Sequence, residues 1–269
     1  MNDFDKKNLG HQCYKMIIAY DGTQFEGWQV QNRTKNTIVG TLQATFKKVF
    51  AQDIAIFGAS RTDAGVHALG QVARFYLRQN IPIEKMLREW NIHLPKTIFI
   101  RSLEKSEPFN PCINVKQKIY YYHIFLKQPL PFFTSYGWVC NFIDRVNLEK
   151  FNAALQLFVG EHDFRSFCKV DPEKQHKIED GFTVKTIDSI KLEVIKKYNL
   201  IRVTICGKAF LHFQIRRMIG YALDVARKDN LEISYLQSLL DHPKAEQILL
   251  KAPASGLLLK KIIYEKGTE

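Results

Sequence analysis

No apolar run in this 269-residue chain approaches the length that crosses a bilayer. Stretches such as Ile17–Ala19 and Leu257–Leu259 are short, so no membrane partner is expected. Met1-Asn2-Asp3-Phe4-Asp5-Lys6 also lacks the apolar core of a signal peptide. Cysteine is sparse: Cys13, Cys112, Cys140, Cys168 and Cys206 are odd in number and widely spaced, with no C-x-x-C pair. That pattern argues against a disulfide framework and against a zinc knuckle, and it reads as a reduced, cytoplasmic protein. The phosphate-cradling G-x-G-x-x-G and G-x-x-x-x-G-K-[ST] motifs are missing, as are H-E-x-x-H and G-x-S-x-G. His67, His162 and His212 are scattered and read as hydrogen-bonded structural residues rather than metal ligands. Neither a cofactor nor a metal is expected. Acidic residues are in the minority, 27 against 39 basic ones, for a net charge of +12. A chain this basic points to a polyanion, most often nucleic acid. A proteome that is lysine-rich throughout is the plain alternative.

What the chain does have is alternating periodicity of two kinds. Cys13–Tyr20 alternates as a strand and stops at Asp21-Gly22-Thr23. Thr37–Phe50 places Ile38, Leu42, Phe46 and Val49 at helical spacing. Ile54–Phe57 and Gln71–Leu77 read as strands, Pro82–Asn91 as a helix with Pro at its first turn, and Ile98–Leu103 as a strand. The segment Glu107-Pro108-Phe109-Asn110-Pro111 suggests a boundary, giving halves of 13–107 and 108–269. In the second half Lys116–Leu126 is a strand, and Asn147 caps a helix bearing Leu148, Phe151, Leu155 and Phe158. Thr186–Ile195 and Leu200–Cys206 form a hairpin, Leu211–Arg227 is helical, and Leu257–Tyr264 is the last strand. Antiparallel strands mixed with helices in both halves predict an α+β architecture.

Three stretches carry candidate chemistry. FGASRTDAGVHALGQVARF, residues 57–75, holds Asp63 at a sharp break between two strands, beside Arg61 and His67. Turn aspartates usually just bond local amides. A carboxylate kept ionised by a nearby cation can also serve as nucleophile or base. In AFLHFQIRRMIG, residues 209–220, helical geometry puts Leu211, Ile215, Met218, Ile219 and Ala222 on one face. Arg216 falls at its margin, able to reach a carboxylate in a cleft, and Arg217 points nearly opposite, solvated or on a phosphate. Two surface arginines is the plain alternative. In KIYYYH, residues 118–123, Tyr120 and Tyr122 share one strand face and Tyr121 takes the other. Such tyrosines are mostly core filling, but an exposed ring can stack on a displaced base. The loop YDGTQFEGWQVQN either lines such a cleft or packs as a surface loop.

Taken together, YDGTQFEGWQVQ, RTDAGVHALGQV, KIYYYH, GEHDFRSF, AFLHFQIRRMIG and APASGLLLKKIIY resemble, in order, the bacterial tRNA pseudouridine synthase A family over about Tyr20–Tyr264. The resemblance implies the pseudouridine synthase fold: two ferredoxin-like halves in one extended antiparallel sheet flanked by helices, with the active-site cleft between them. It implies a homodimer acting on tRNA, without cofactor, at uridines 38–40 of the anticodon stem-loop. The C1′–N1 bond of uridine breaks, the base turns, and a C1′–C5 bond forms. The family's catalytic aspartate falls on Asp63, which either attacks C1′ or removes the 2′ proton. Its base-stacking tyrosine falls on Tyr120 and its aspartate-pairing arginine on Arg216, while Arg61 helps hold the flipped nucleotide and Leu257 walls the pocket. Ser60, Arg74 and Gln214 depart from the family's usual glycine, histidine and methionine; Ala64 matches the bacterial anticodon-arm members. An RNA-binding protein of this fold without catalysis would not need Asp63 or Arg216. An N-glycosidase would call for a second carboxylate or a placed water, and would release free uracil.

Overall fold

The computed structural model describes residues 10–170, 180–245, 247 and 249–265. The polar stretch Met1–Gln12, whose composition suggests a loose segment, lies outside the described residues up to residue 9. The chain divides into two compact units, one of Met1–Lys116 with Leu258–Glu269 and one of Gln117–Leu257.

The first unit is built on β1 (Gln12–Tyr20), β2 (Phe57–Gly58), β3 (His67–Leu77), β4 (Ile98–Ser106) and β10 (Leu257–Tyr264), with α1 (Ile38–Phe50) and α2 (Ile83–His93). Its strands run in the order β4-β1-β3-β10, with β2 also on β3. β1 pairs antiparallel with both neighbours, whereas β10 joins β3 in parallel, Leu258 opposite His67. All of β3 except Leu69 is buried, as expected of a central strand covered on both faces. Thr37 caps α1 by accepting from Gly40 N–H at 3.1 Å. The helical spacing read from the sequence then delivers Ile38, Leu42 and Phe46 to the core. Phe46 meets the Trp90 ring edge-on at 4.7 Å, Trp90 meets Phe75 at 5.6 Å, and Phe75 stacks on Tyr14 at 5.2 Å. The Trp90 indole donates to the Leu42 carbonyl at 3.2 Å, so its one polar atom is satisfied inside the core. Asn91 then ties α2 to β4, bonding both the N–H and the C=O of Ile100.

The second unit contains β5 (Val115–Phe125), β6 (Trp138–Val139), α3 (Leu148–Gln156), β7 (Gly160–Asp163), β8 (Val184–Ile195), β9 (Leu200–Gly207), α4 (Gln214–Arg227) and α5 (Ile233–Asp241). Its sheet runs β5-β9-β8-β7, antiparallel throughout, and β6 adds a short parallel pair to β5. The β8–β9 hairpin turns at Asn199, whose φ of 48° is the left-handed conformation that asparagine tolerates. Asn147 caps α3 through Lys150 N–H at 2.9 Å.

Several expectations need correction. The unit boundary falls inside β5 rather than at 107/108, because the Pro108–Pro111 segment is held by the last strand: Tyr264 donates to the Pro111 carbonyl at 2.8 Å and meets Phe109 edge-on. Of Ile54–Phe57 only Phe57 enters a strand. α4 starts at Gln214 rather than Leu211, since Phe213 sits at φ 64° and Leu211 N–H is taken by the Gln214 side chain at 2.8 Å. The short β7 and the helix α5 were not anticipated.

Arg217 is the clearest revision. It is half-buried, not solvated, and its guanidinium donates to the Cys168 carbonyl. The segment around Phe164–Phe167 covers this side of α4, so a residue opposite the apolar stripe still finds protein rather than water. Burial pushes the Cys168 thiol up to about 11 and the Arg217 pKa down. Arg217→Ala is therefore expected to lower unfolding free energy by about 1–3 kcal/mol, through the stranded carbonyl, in chemical denaturation. Thr37→Ala and Asn147→Ala each cost about 1 kcal/mol in the same assay.

Candidate active site

Asp63 lies in the loop between β2 and β3, and the loop is clasped by the segment that follows β1. Thr62 C=O accepts from Trp28 N–H at 3.0 Å, and Gly65 N–H donates to the Phe25 carbonyl at 3.3 Å. A turn closes across the aspartate, Val66 N–H to Asp63 C=O at 3.2 Å, with Gly65 at φ 78°. Two glycines of the clasp are required by geometry. Gly27 holds φ 98°, and a Cβ there would stand 2.8 Å from Thr62 O; a Cβ on Gly22 would run into the Val66 carbonyl. The two motifs, YDGTQFEGW and RTDAGVH, are thus halves of one structure. Asp63 itself is half-buried and Arg61 is exposed in the same loop.

His67, at the far end of the loop, is 4% exposed. Gly22 N–H donates to its Nδ1 at 3.1 Å, and Asp21 Oδ1 lies 3.2 Å from the same atom. Asp21 also receives the Thr23 N–H and hydroxyl. His67 therefore fastens the loop to the YDGT turn. Among the described residues no cluster of three or more His, Cys, Asp or Glu is arranged to hold a metal ion.

Tyr120 and Arg216 belong to the second unit, and Leu257, the first residue of β10, is the last residue of that unit before the strand passes into the first. Tyr120 and Tyr122 are buried and Tyr121 is half-buried, as alternation requires. Tyr120 is 5% exposed, with its ring edge-to-face against Phe210 at 5.2 Å. Arg216 is 9% exposed in the second residue-pair of α4. Its Nε donates to the Ala252 carbonyl at 2.8 Å, and Ala252 N–H returns a bond to Arg216 C=O at 3.0 Å. The guanidinium stands 5.3 Å from the centre of the Phe213 ring. Tyr122 holds the same segment by donating to the Pro253 carbonyl at 2.9 Å, and Gly256 packs on its ring. Burial drives the Tyr122 phenol well above its ordinary pKa, with the Arg216 charge pulling the other way. The stretch 252–257 is the shared element: it accepts from Arg216 and Tyr122 and runs into Leu257, which is 7% exposed.

Sequence reasoning missed the residues that hold these groups. Tyr20, Gln71, Phe210 and Phe213 all lie within the motif stretches, but nothing in their residue types or spacing marked them as the side chains that hold the site. Phe213 was visible only as part of a helical run, and its positive φ could not be read from residue type.

The family model described as tRNA pseudouridine synthase matches residues 16–110 and 154–265. The chain is 32% identical over 253 residues to tRNA pseudouridine synthase A 2 of Bacillus cereus, covering 93% of this chain and 99% of that protein. It is 34% identical over 254 residues to tRNA pseudouridine synthase A of Thermodesulfovibrio yellowstonii, with 93% and 98% covered. Against tRNA pseudouridine synthase A of Aquifex aeolicus the identity is 32% over 252 residues, again with 93% and 98% covered. Among solved structures, a Cbf5-Nop10-Gar1 complex aligns at TM-score 0.34 and 15% identity, over 78% of this chain and 45% of that one. With the sequence matches extending through both units, the chain belongs to the tRNA pseudouridine synthase family of isomerases.

Proposed function

We propose that this enzyme isomerises uridine to pseudouridine at positions 38–40 of the tRNA anticodon stem-loop, with Asp63 as its catalytic carboxylate. The observation that carries the reading is the clasped loop: Asp63 stands half-buried on a turn whose flanking backbone is bonded on both sides. A loop aspartate serving only as a turn former would not call for a second segment to hold it. The reaction is cofactor-free in its bookkeeping. The C1′–N1 bond breaks and C1′–C5 forms, N1 gains a proton and C5 loses one, so atoms and electrons balance within the substrate. What the protein must supply is a group acting on the ribose, a place for the turned base, and positive charge.

Tyr120 is assigned to the base and Arg216 to the charge, with Leu257 as an apolar wall. Support for Arg216 comes from its burial: a guanidinium fixed by the Ala252 carbonyl and a phenylalanine face is pre-oriented, which a surface arginine is not. Arg61, exposed beside Asp63, is suited to a phosphate or to the displaced nucleotide. The net charge of +12 supports a tRNA partner. No helix among the described residues is long and apolar enough to cross a membrane. We read the enzyme as a cytoplasmic homodimer, on the strength of the family resemblance.

Asp63→Asn is expected to abolish product, at least about a hundredfold in single-turnover rate, while binding of an unmodified anticodon-arm transcript stays near wild type. Mapping pseudouridine by position in that transcript tests reaction and target together; product outside 38–40, or free uracil, overturns the assignment. Arg216→Ala is expected to lose most activity at a temperature where circular dichroism shows it folded. Full activity would remove Arg216 from the site.

A further inference from the structure

We propose that Gln71 and Tyr20 are positioning residues that set the carboxylate of Asp63, an inference that rests on Asp63 being the catalytic group. The β2–β3 ladder ends with Ala59 N–H donating to Val72 C=O at 2.8 Å. At the next residue the loop departs, and a side chain replaces the missing rung. Ser60 N–H donates to Gln71 Oε1 at 3.2 Å, and Gln71 Nε2 donates to Ser60 C=O at 2.5 Å. A carboxamide offers the same donor and acceptor as a peptide group, so the ladder is extended by one step without backbone. Gln71 is carried by β3 with its backbone opposite Ile18 of β1, and its side chain is fully buried.

The second fastening lies one residue before Asp63. Tyr20, at the end of β1 and 4% exposed, has its hydroxyl 2.8 Å from Thr62 Oγ1. Gln71 Nε2 also stands 3.5 Å from that hydroxyl, joining the two fastenings. The chain approaching Asp63 is thus held at Ser60 and at Thr62 by groups mounted on two adjacent central strands. All of these groups are neutral, so they act through geometry and not by changing the charge around the carboxylate. Displacement of a reacting group by 1 Å can cost about a hundredfold in rate, so modest slack at these two points is enough to matter.

The test compares wild type, Gln71→Met, Tyr20→Phe and Asp63→Asn on an unmodified anticodon-arm transcript, at a temperature where each is folded by circular dichroism. Gln71→Met keeps the volume and removes both bonds to Ser60; Tyr20→Phe removes one oxygen and is the variant that stays interpretable if Gln71→Met fails to fold. Each is expected to lower kcat by at least about tenfold with KM for the transcript within about twofold of wild type. A lowered melting temperature with wild-type kcat in either variant would make that residue structural only and overturn its part of the proposal. Asp63→Asn separates the two levels. If it is inactive while both other variants turn over normally, positioning alone is refuted; if it remains active, the assignment of Asp63 and the positioning built on it fall together.

Discussion

Where β2 leaves β3, the Gln71 amide takes both hydrogen bonds that a peptide group would have taken, and Ser60 is held while the chain turns out toward Asp63. Much of the local architecture follows from that substitution. A strand pair that separates leaves polar backbone behind, and buried polar backbone without partners is costly. Here the vacated rung is filled from the core side by Gln71, and the outer side of the loop is filled by Trp28 N–H and Phe25 C=O. The glycines at 22 and 27 let those two backbones approach, which is why neither position has room for a side chain. The aspartate ends on a short, over-determined turn and not on a mobile tip.

The second unit solves a related problem with regular elements. Its tyrosines are fixed by strand alternation, its arginine by the first turn of α4. A buried guanidinium is expensive unless its donors and its charge are compensated. Arg216 meets part of that requirement with the Ala252 carbonyl and the Phe213 face. Phe213 reaches that position only through its left-handed backbone, a strained conformation for an aromatic residue that the bonds of the following helix hold in place. The backbone stretch from Ala252 to Gly256 serves both Arg216 and Tyr122, so a change in either tyrosine or arginine is felt along the chain leading to Leu257.

Helix α1 and strand β1 were legible because their periodicity is local: Ile38, Leu42 and Phe46 recur at one spacing, and Met16, Ile18 and Tyr20 at another. The hairpin at Lys196–Asn199 was legible for the same reason, with polar residues between two alternating runs. Arg217 was not. Helical geometry placed it correctly on the side away from the apolar stripe, but whether that side meets water depends on a segment around Phe164–Phe167, some fifty positions earlier. The terminal strand was recognised as a strand, yet its partner, β3, lies nearly two hundred positions away.

What the residues alone determined is the kind of chemistry: a basic chain without metal or nucleotide motifs, a carboxylate set between glycines, and a family pattern specific enough to name the reaction. Those are properties of composition and order, and they survive without coordinates. What only the tertiary structure decided is how each group is held. Gln71 and Tyr20 look like ordinary strand residues in the sequence, because a side chain that substitutes for backbone does so only once another strand has turned away and left its hydrogen bonds open.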